Sequence, residues 1–287
     1  MRLGGIEAGG TKMVCAIADE FGNILERQVY PTTEPRETLD IMATYFEDKK
    51  IDALGIGSFG PVDLNKESAT YGYITSTPKP GWSNTDFVGA FSKLGVPVGF
   101  DTDVNAAVLG EVRFGAAKDT DCALYITIGT GIGVGVYADG QLYHGHVHPE
   151  AGHIYLRTHD IDKRLQYGGN CPFHGTCFEG MASGPSILKR WGKPAQELYE
   201  QDEVWELESY YIGYAIANYT MLYSPAKVIV WGGVMHKPGL IEKIVEQARE
   251  HLGGYVAMPE ILLPALGDNP GIIGATQLGL DALKTAK

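Results

Sequence analysis

Cations are scarce in this sequence. Its 287 residues carry 23 Lys and Arg against 35 Asp and Glu, a formal net charge of −12. No polybasic stretch interrupts that balance, and sequence-independent binding to nucleic acid needs phosphate-neutralising cations, so nucleic acid is set aside as a partner. Long apolar runs are missing too. Glu7 and Lys12 break the apolar stretch near the N-terminus, leaving no signal-peptide core. The uncharged run Cys122 to Ala138 is short for a membrane span and carries Gly at 129, 131, 133 and 135. Four cysteines without a signal peptide do not build a disulfide scaffold. Prolines number only 15, and no low-complexity linker divides the chain. A soluble, cytoplasmic protein with no membrane partner is expected. Glycine is in excess: 38 residues, about twice average usage, without a collagen-like period. It points to tight turns or to backbone that approaches a ligand closely.

The length suggests two domains at roughly 150 residues each. The opening GGIEAGGTKMVCAIADEFGNILERQVY reads as strand, glycine turn, strand, turn, strand. About 120 residues later ALYITIGTGIGVGVYADGQLYHG repeats that grammar, which suggests two related halves. Helical rhythm over 34–49, 103–114, 203–223, 238–252 and 270–286 alternates with short apolar strands at 51–58, 96–100, 227–231 and 261–264. Pro238 is expected at the first position of its helix. Residues 149–176 read as loop, and the alternation indicates an α/β protein.

Two turns suit phosphate. EAGGTK (Glu7 to Lys12) offers adjacent glycine amides followed by a hydroxyl and an ammonium, and IGTGIG (Ile128 to Gly133) offers Thr130 between glycines. Neither has P-loop spacing. Asp103 directly follows a strand and stands at a helix N-terminus. It reads either as an N-cap or as a carboxylate placed to accept a proton from a substrate hydroxyl. His153, Cys171, His174 and Cys177 give His-x17-Cys-x2-His-x2-Cys, two thiolates and two imidazoles that suit tetrahedral Zn²⁺. His146 and His148 read as surface or turn histidines, and Cys15 and Cys122 as buried small apolar residues.

These segments, with GIGSFGPVD (Gly55 to Asp63), TDVNAAVLGE, ASGP (Ala182 to Pro185) and WGGVM (Trp231 to Met235), occur in one order along the whole chain. The sequence resembles the ROK family of sugar kinases, and within it the bacterial fructokinases. The resemblance implies an actin-like, ribonuclease H-like ATPase fold: two related α/β domains around a hinged cleft. They would span 1–117 and 118–287, with the last helix (about 270–287) able to pack back on the N-terminal domain. It implies Asp103 as general base on the sugar. Gly9, Gly10, Thr11, Thr130 and Gly131 would form the phosphate turns. Pro185, Gly233, Val234, Met235, His236 and Lys237 would lie in nucleotide-binding loops, and Glu150, His153 and Glu179 at sugar-contacting positions. His153 could place one ring nitrogen on zinc and the other toward the sugar.

Three departures from the family pattern stand out. Glu7 replaces the usual Asp, which bears on how Mg²⁺ is held; Thr102 replaces the Asn of glucose-specific relatives; His174 replaces a third Cys of the metal loop. The reading is an ATP-dependent sugar kinase using Mg²⁺ and a structural Zn²⁺, with phosphorylation of D-fructose to fructose 6-phosphate as the leading reaction. Glucose, mannose and an N-acetylated amino sugar are the alternatives. A sugar-sensing regulator is disfavoured, because Glu7 leaves no room for a preceding helix-turn-helix. A homodimer is an expectation from the resemblance alone.

Overall fold

The structure, a computed structural model, describes residues 1–286; Lys287, the end of the expected last helix, lies outside them. The chain begins with β1 (Leu3–Ala8), β2 (Lys12–Ala18), β3 (Ile24–Pro31), α1 (Pro35–Glu47) and β4 (Ala53–Ser58). It continues through β5 (Tyr73–Ile74), β6 (Thr85–Asp86), β7 (Val98–Thr102) and α2 (Asp103–Phe114). Next come β8 (Ala123–Ile128), β9 (Ile132–Ala138), β10 (Gln141–Leu142), α3 (Asp160–Leu165), α4 (Phe178–Ala182) and α5 (Gly184–Trp191). The last elements are α6 (Asp202–Tyr223), β11 (Lys227–Trp231), α7 (Leu240–Leu252), β12 (Glu260–Leu262) and α8 (Pro270–Thr285). Two compact units result. The first comprises Met1–Asp119, Leu142–His148 and Ala265 onward, and the second Thr120–Gln141 and Pro149–Pro264.

Each unit is built on a five-stranded sheet, ordered β3-β2-β1-β4-β7 in one and β10-β9-β8-β11-β12 in the other. Counted by appearance, both run third-second-first-fourth-fifth. An antiparallel pair (β1–β2, β8–β9) is followed by parallel partners (β4 and β7, β11 and β12). The recurring strand–turn–strand grammar is therefore a true duplication of topology.

The central strands read as continuous apolar or glycine runs because both faces are covered. All six residues of β4 are buried. A Cβ at Gly55 would lie 1.7 Å from the Ala275 carbonyl, so α8 lies backbone to backbone on the sheet. A Cβ at Gly274 would lie 1.6 Å from the Ala106 carbonyl, which brings α8 equally close to α2. Part of the glycine excess thus serves close packing within the protein, in addition to the turns.

Each unit has its own core. Ile6, Met13, Phe46, Trp82, Phe87 and Phe91 anchor the first; Ile126, Phe178, Trp205, Tyr211, Ile216 and Val230 anchor the second. Side chains of this size contribute about 1.5–3 kcal/mol each on full burial. Helices α1 and α8 begin with Pro as N-terminal signals predict. Pro238 differs: Gly239 is left-handed (φ 77°) and caps α7, which starts at Leu240, so the proline stands outside the helix. The segment 149–176 is not all loop, since it holds α3. Among the described residues no helix is long and apolar enough to cross a membrane.

Candidate active site and metal centre

In the first unit, Gly9, Gly10 and Thr11 form the β1–β2 turn. The Gly9 amide donates to the Lys12 carbonyl (3.0 Å), and Thr32 fastens the turn to the end of β3. Its amide donates to the Thr11 carbonyl (3.0 Å) and its hydroxyl to the Gly9 carbonyl (2.8 Å). Beside Gly10 a Cβ would meet nothing within 4 Å, so the outer side of the turn is open. Lys79, from TPKPGW, donates from Nζ to the Gly10 carbonyl (2.6 Å). Glu7 lies at the end of β1 against Gly271; burial pushes its carboxyl up, with Lys12 and Arg27 opposing.

The β7–α2 junction separates two readings of Asp103. The N-cap is Thr102, whose Oγ1 accepts from the Asn105 amide (3.1 Å), and Asp103 is the first helical residue, so the expected cap at Asp103 is corrected. Asp103 Oδ1 accepts from the Val104 amide (2.9 Å). A group the sequence did not signal supports this turn. Asp101, 3% exposed, accepts from the Thr102 amide (2.8 Å) and Asn105 Nδ2 (2.8 Å), and its other oxygen lies 2.6 Å from His144 Nε2. That bond raises the His144 pKa, with burial opposing. His148 is also more than a surface histidine, because its Nε2 accepts from the Val62 amide (3.1 Å).

In the second unit, the Gly129–Gly131 turn between β8 and β9 closes through the Gly129 amide and the Gly131 carbonyl (2.9 Å). Thr130 is its tip. One expected nucleotide loop and one expected sugar-contacting residue brace it. The Gly184 amide, beside Pro185, donates to the Gly129 carbonyl (2.8 Å), and Glu179 Oε2 accepts from the Ile132 amide (2.9 Å). Gly152 of HPEAGH passes so close that a Cβ would sit 1.8 Å from the Ile132 carbonyl, which carries Glu150 and His153 beside the same turn. Gly232 (φ 116°) abuts the Ile128 backbone and starts the short helical turn Gly233–His236. Val234 and Met235 are buried, so only their backbone can face a nucleotide. His236 packs its ring on Trp231 (5.3 Å), and Lys237 Nζ lies 6.0 Å over the Tyr199 ring.

His153, Cys171, His174 and Cys177 converge, with all four ligand atoms within 4.8 Å of one another. Cys171 and Gly175 pair backbone to backbone in a tight knuckle, and Cys177 caps α4. His153 Nδ1 is 3.3 Å from His174 Nδ1 and 3.4 Å from Cys177 Sγ; Cys171 Sγ is 3.7 Å from each imidazole Nδ1. Zinc with Zn–N of about 2.05 Å and Zn–S of about 2.3 Å has tetrahedral edges of roughly 3.3 Å (N–N) and 3.6 Å (N–S). The cluster fits that ion, and both histidines turn Nδ1 inward. Burial first, with the neighbouring Cys171 and Glu179 adding to it, pushes the Cys177 thiol up to about 11, so an ion must displace a proton to bind. Cys15 is buried as expected, whereas Cys122 is half-buried, with Sγ on the Tyr223 carbonyl (3.4 Å).

A model of the ROK family matches residues 3–282. A fructokinase of Lactococcus lactis subsp. cremoris is 44% identical, covering 96% of this chain and 94% of that one. A fructokinase of Pediococcus pentosaceus is 43% identical over 100% of both chains. Among solved structures, a ROK hexokinase from Thermus thermophilus superposes with a TM-score of 0.83 at 26% identity, covering 99% of this chain and 100% of that one.

Proposed function

The chain belongs to the ROK family, and on that premise we propose that it transfers the terminal phosphoryl group of ATP to D-fructose, giving fructose 6-phosphate. The observation that carries the choice of sugar is whole-chain identity of 43% and 44% to proteins named fructokinase. The duplicated α/β topology is the actin-like ATPase fold of these kinases.

Phosphoryl transfer depends on positioning and charge neutralisation more than on covalent chemistry. The Gly9–Thr11 turn is open beside Gly10 and the Thr130–Gly131 turn beside Gly129, and each is assigned to the phosphates of MgATP. The Pro185 loop and the Gly233–Lys237 turn, packed around the second of these, are assigned to the rest of the nucleotide. Asp103 accepts the proton of the attacking hydroxyl. Thr102 supplies the helix cap, while Asp103 Oδ1 accepts from the Val104 amide, which fixes the carboxylate's position at the start of the helix. Glu150, His153 and Glu179 are assigned to the sugar; Glu179 also holds the Ile132 amide, so sugar and phosphate groups share one brace. His153, Cys171, His174 and Cys177 would hold a structural zinc, which would cross-link the loop that carries these residues. His153 then has Nε2 left for the sugar.

A coupled assay for ADP release with fructose and MgATP, and NMR of the product, tests this reading. Fructose-dependent ADP release with fructose 6-phosphate as product is expected; no sugar-dependent release would reject it. Asp103→Asn keeps the size but not the proton acceptor, and should lower kcat by on the order of 10²–10⁴ with nucleotide affinity unchanged.

A further inference from the structure

TPKPGW lies between β5 and β6, outside every group assigned above. Its tryptophan fixes the loop: Trp82 is fully buried and donates from Nε1 to the Thr33 carbonyl (2.9 Å). Pro78 and Pro80 flank Lys79 and restrict its backbone. From this rigid frame Lys79 crosses to the first glycine turn, with Nζ 2.6 Å from the Gly10 carbonyl and 3.4 Å from the Thr32 carbonyl. Among the described residues no carboxylate pairs with it. Carbonyl oxygens hold an ammonium in place without neutralising it. In a chain of net charge −12 that is a deliberate location for an uncompensated cation.

We propose that Lys79 is a polyphosphate-binding residue, adding to the first glycine turn a second positive charge, fixed by the turn's own Gly10 carbonyl, beside that of the exposed Lys12. The turn's amides give direction and Lys79 gives charge, the division of labour that anion sites of this kind use. The ligand class is a nucleoside di- or triphosphate. The proposal rests on the reading of Gly9–Thr11 as a phosphate turn.

The test compares Lys79→Met, Lys79→Arg and Thr11→Val, with exposed Lys66→Met as control. Calorimetric affinities for ADP and adenosine are measured alongside kcat/KM for MgATP. ADP affinity and kcat/KM for MgATP should fall on the order of 10- to 100-fold in Lys79→Met, as for loss of a charge-assisted hydrogen bond. Lys79→Arg should recover most of the loss, and adenosine affinity should not change. A purely structural lysine would weaken ADP and adenosine alike, and that result overturns the proposal, as does ADP affinity unchanged within twofold. If Lys79→Met folds poorly, Lys79→Gln decides, since it keeps an N–H donor without the charge: the same ADP loss is expected, and full ADP affinity overturns the proposal. Thr11→Val with unaltered ADP affinity would remove the turn reading and the proposal with it. An impaired Thr11→Val beside an unimpaired Lys79→Met would remove the proposal alone.

Discussion

Replacing Cys177 by Ser tests the metal centre at its most buried ligand, a side chain with 0% exposure. The hydroxyl keeps the volume nearly constant but offers zinc a poor ligand, so the change isolates the metal–sulfur bond. Structural zinc sites contribute about 10–16 kcal/mol of apparent binding free energy, or roughly 2.5–4 kcal/mol for each of four ligands. At 1.4 kcal/mol per decade that is a loss of roughly 10²–10³ in zinc affinity. Because binding free energy is folding free energy for a site held only in the native state, about 3 kcal/mol should disappear from the second unit. For a domain of about 150 residues this lowers the melting temperature by roughly 6–12 °C. The assays are metal content after dialysis against a moderate chelator, and melting with and without added zinc. The wild type should keep about one zinc per chain and Cys177→Ser should not. The fructose KM should rise as well, since the loop carries His153 and leads into Glu179. Full zinc retention by Cys177→Ser, or a melting temperature indifferent to zinc in the wild type, would refute the reasoning.

Three further outcomes follow from packing and charge. Gly274→Ala places a methyl 1.6 Å from the Ala106 carbonyl and should cost about 1–3 kcal/mol or more, read as a lower urea midpoint. Thr102→Ala removes the α2 cap and should cost about 1 kcal/mol in the same measurement, while Thr102→Asn, also a good cap, should cost little. Glu208 is fully buried beside Arg190 and Asp162, and burial raises its pKa to about 8. Its protonated form therefore stabilises the fold fully below its ordinary value of 4.5, and that contribution is lost as pH rises toward 8. Melting temperature should decline less between pH 5 and 8 in Glu208→Gln than in the wild type; parallel curves would reject the assignment.

The repeated meander was legible because strand–glycine–strand is a local pattern, and it led to both sheets. The zinc ligands were legible because three of the four are close in sequence and their chemistry is selective. Helix α8 was legible as a helix, but not the way Gly55 and Gly274 let it reach the sheet and α2, since close backbone approach leaves no periodic signal. The His144–Asp101 pair joins residues far apart in sequence, and neither stands in a motif with its partner. Lys79 and Gly10 are 69 residues apart, and only the fold shows the Lys79 ammonium on the Gly10 carbonyl. Thr102 stood out as a difference from glucose-specific relatives, and the fold adds that its Oγ1 accepts from the Asn105 amide as the cap of α2. Sequence registers which group a residue carries, and the local hydrogen bonds decide whether that group remains available.

That engagement sharpens the expectation for substrate choice. Thr102 offers one short hydroxyl, already accepting from the Asn105 amide. The resemblance implies that glucose-specific relatives offer an Asn amide there, with both a donor and an acceptor, so a glucose hydroxyl that needs both is left with an unmet bond. One unmet hydrogen bond in a buried site costs about 1–3 kcal/mol, roughly 5- to 150-fold. The deciding measurement is kcat/KM for D-fructose and D-glucose, each at saturating MgATP, because that ratio is what discriminates substrates. A value for fructose higher than that for glucose by such a factor is expected. An equal or higher value for glucose would contradict the assignment of this chain as a fructose kinase.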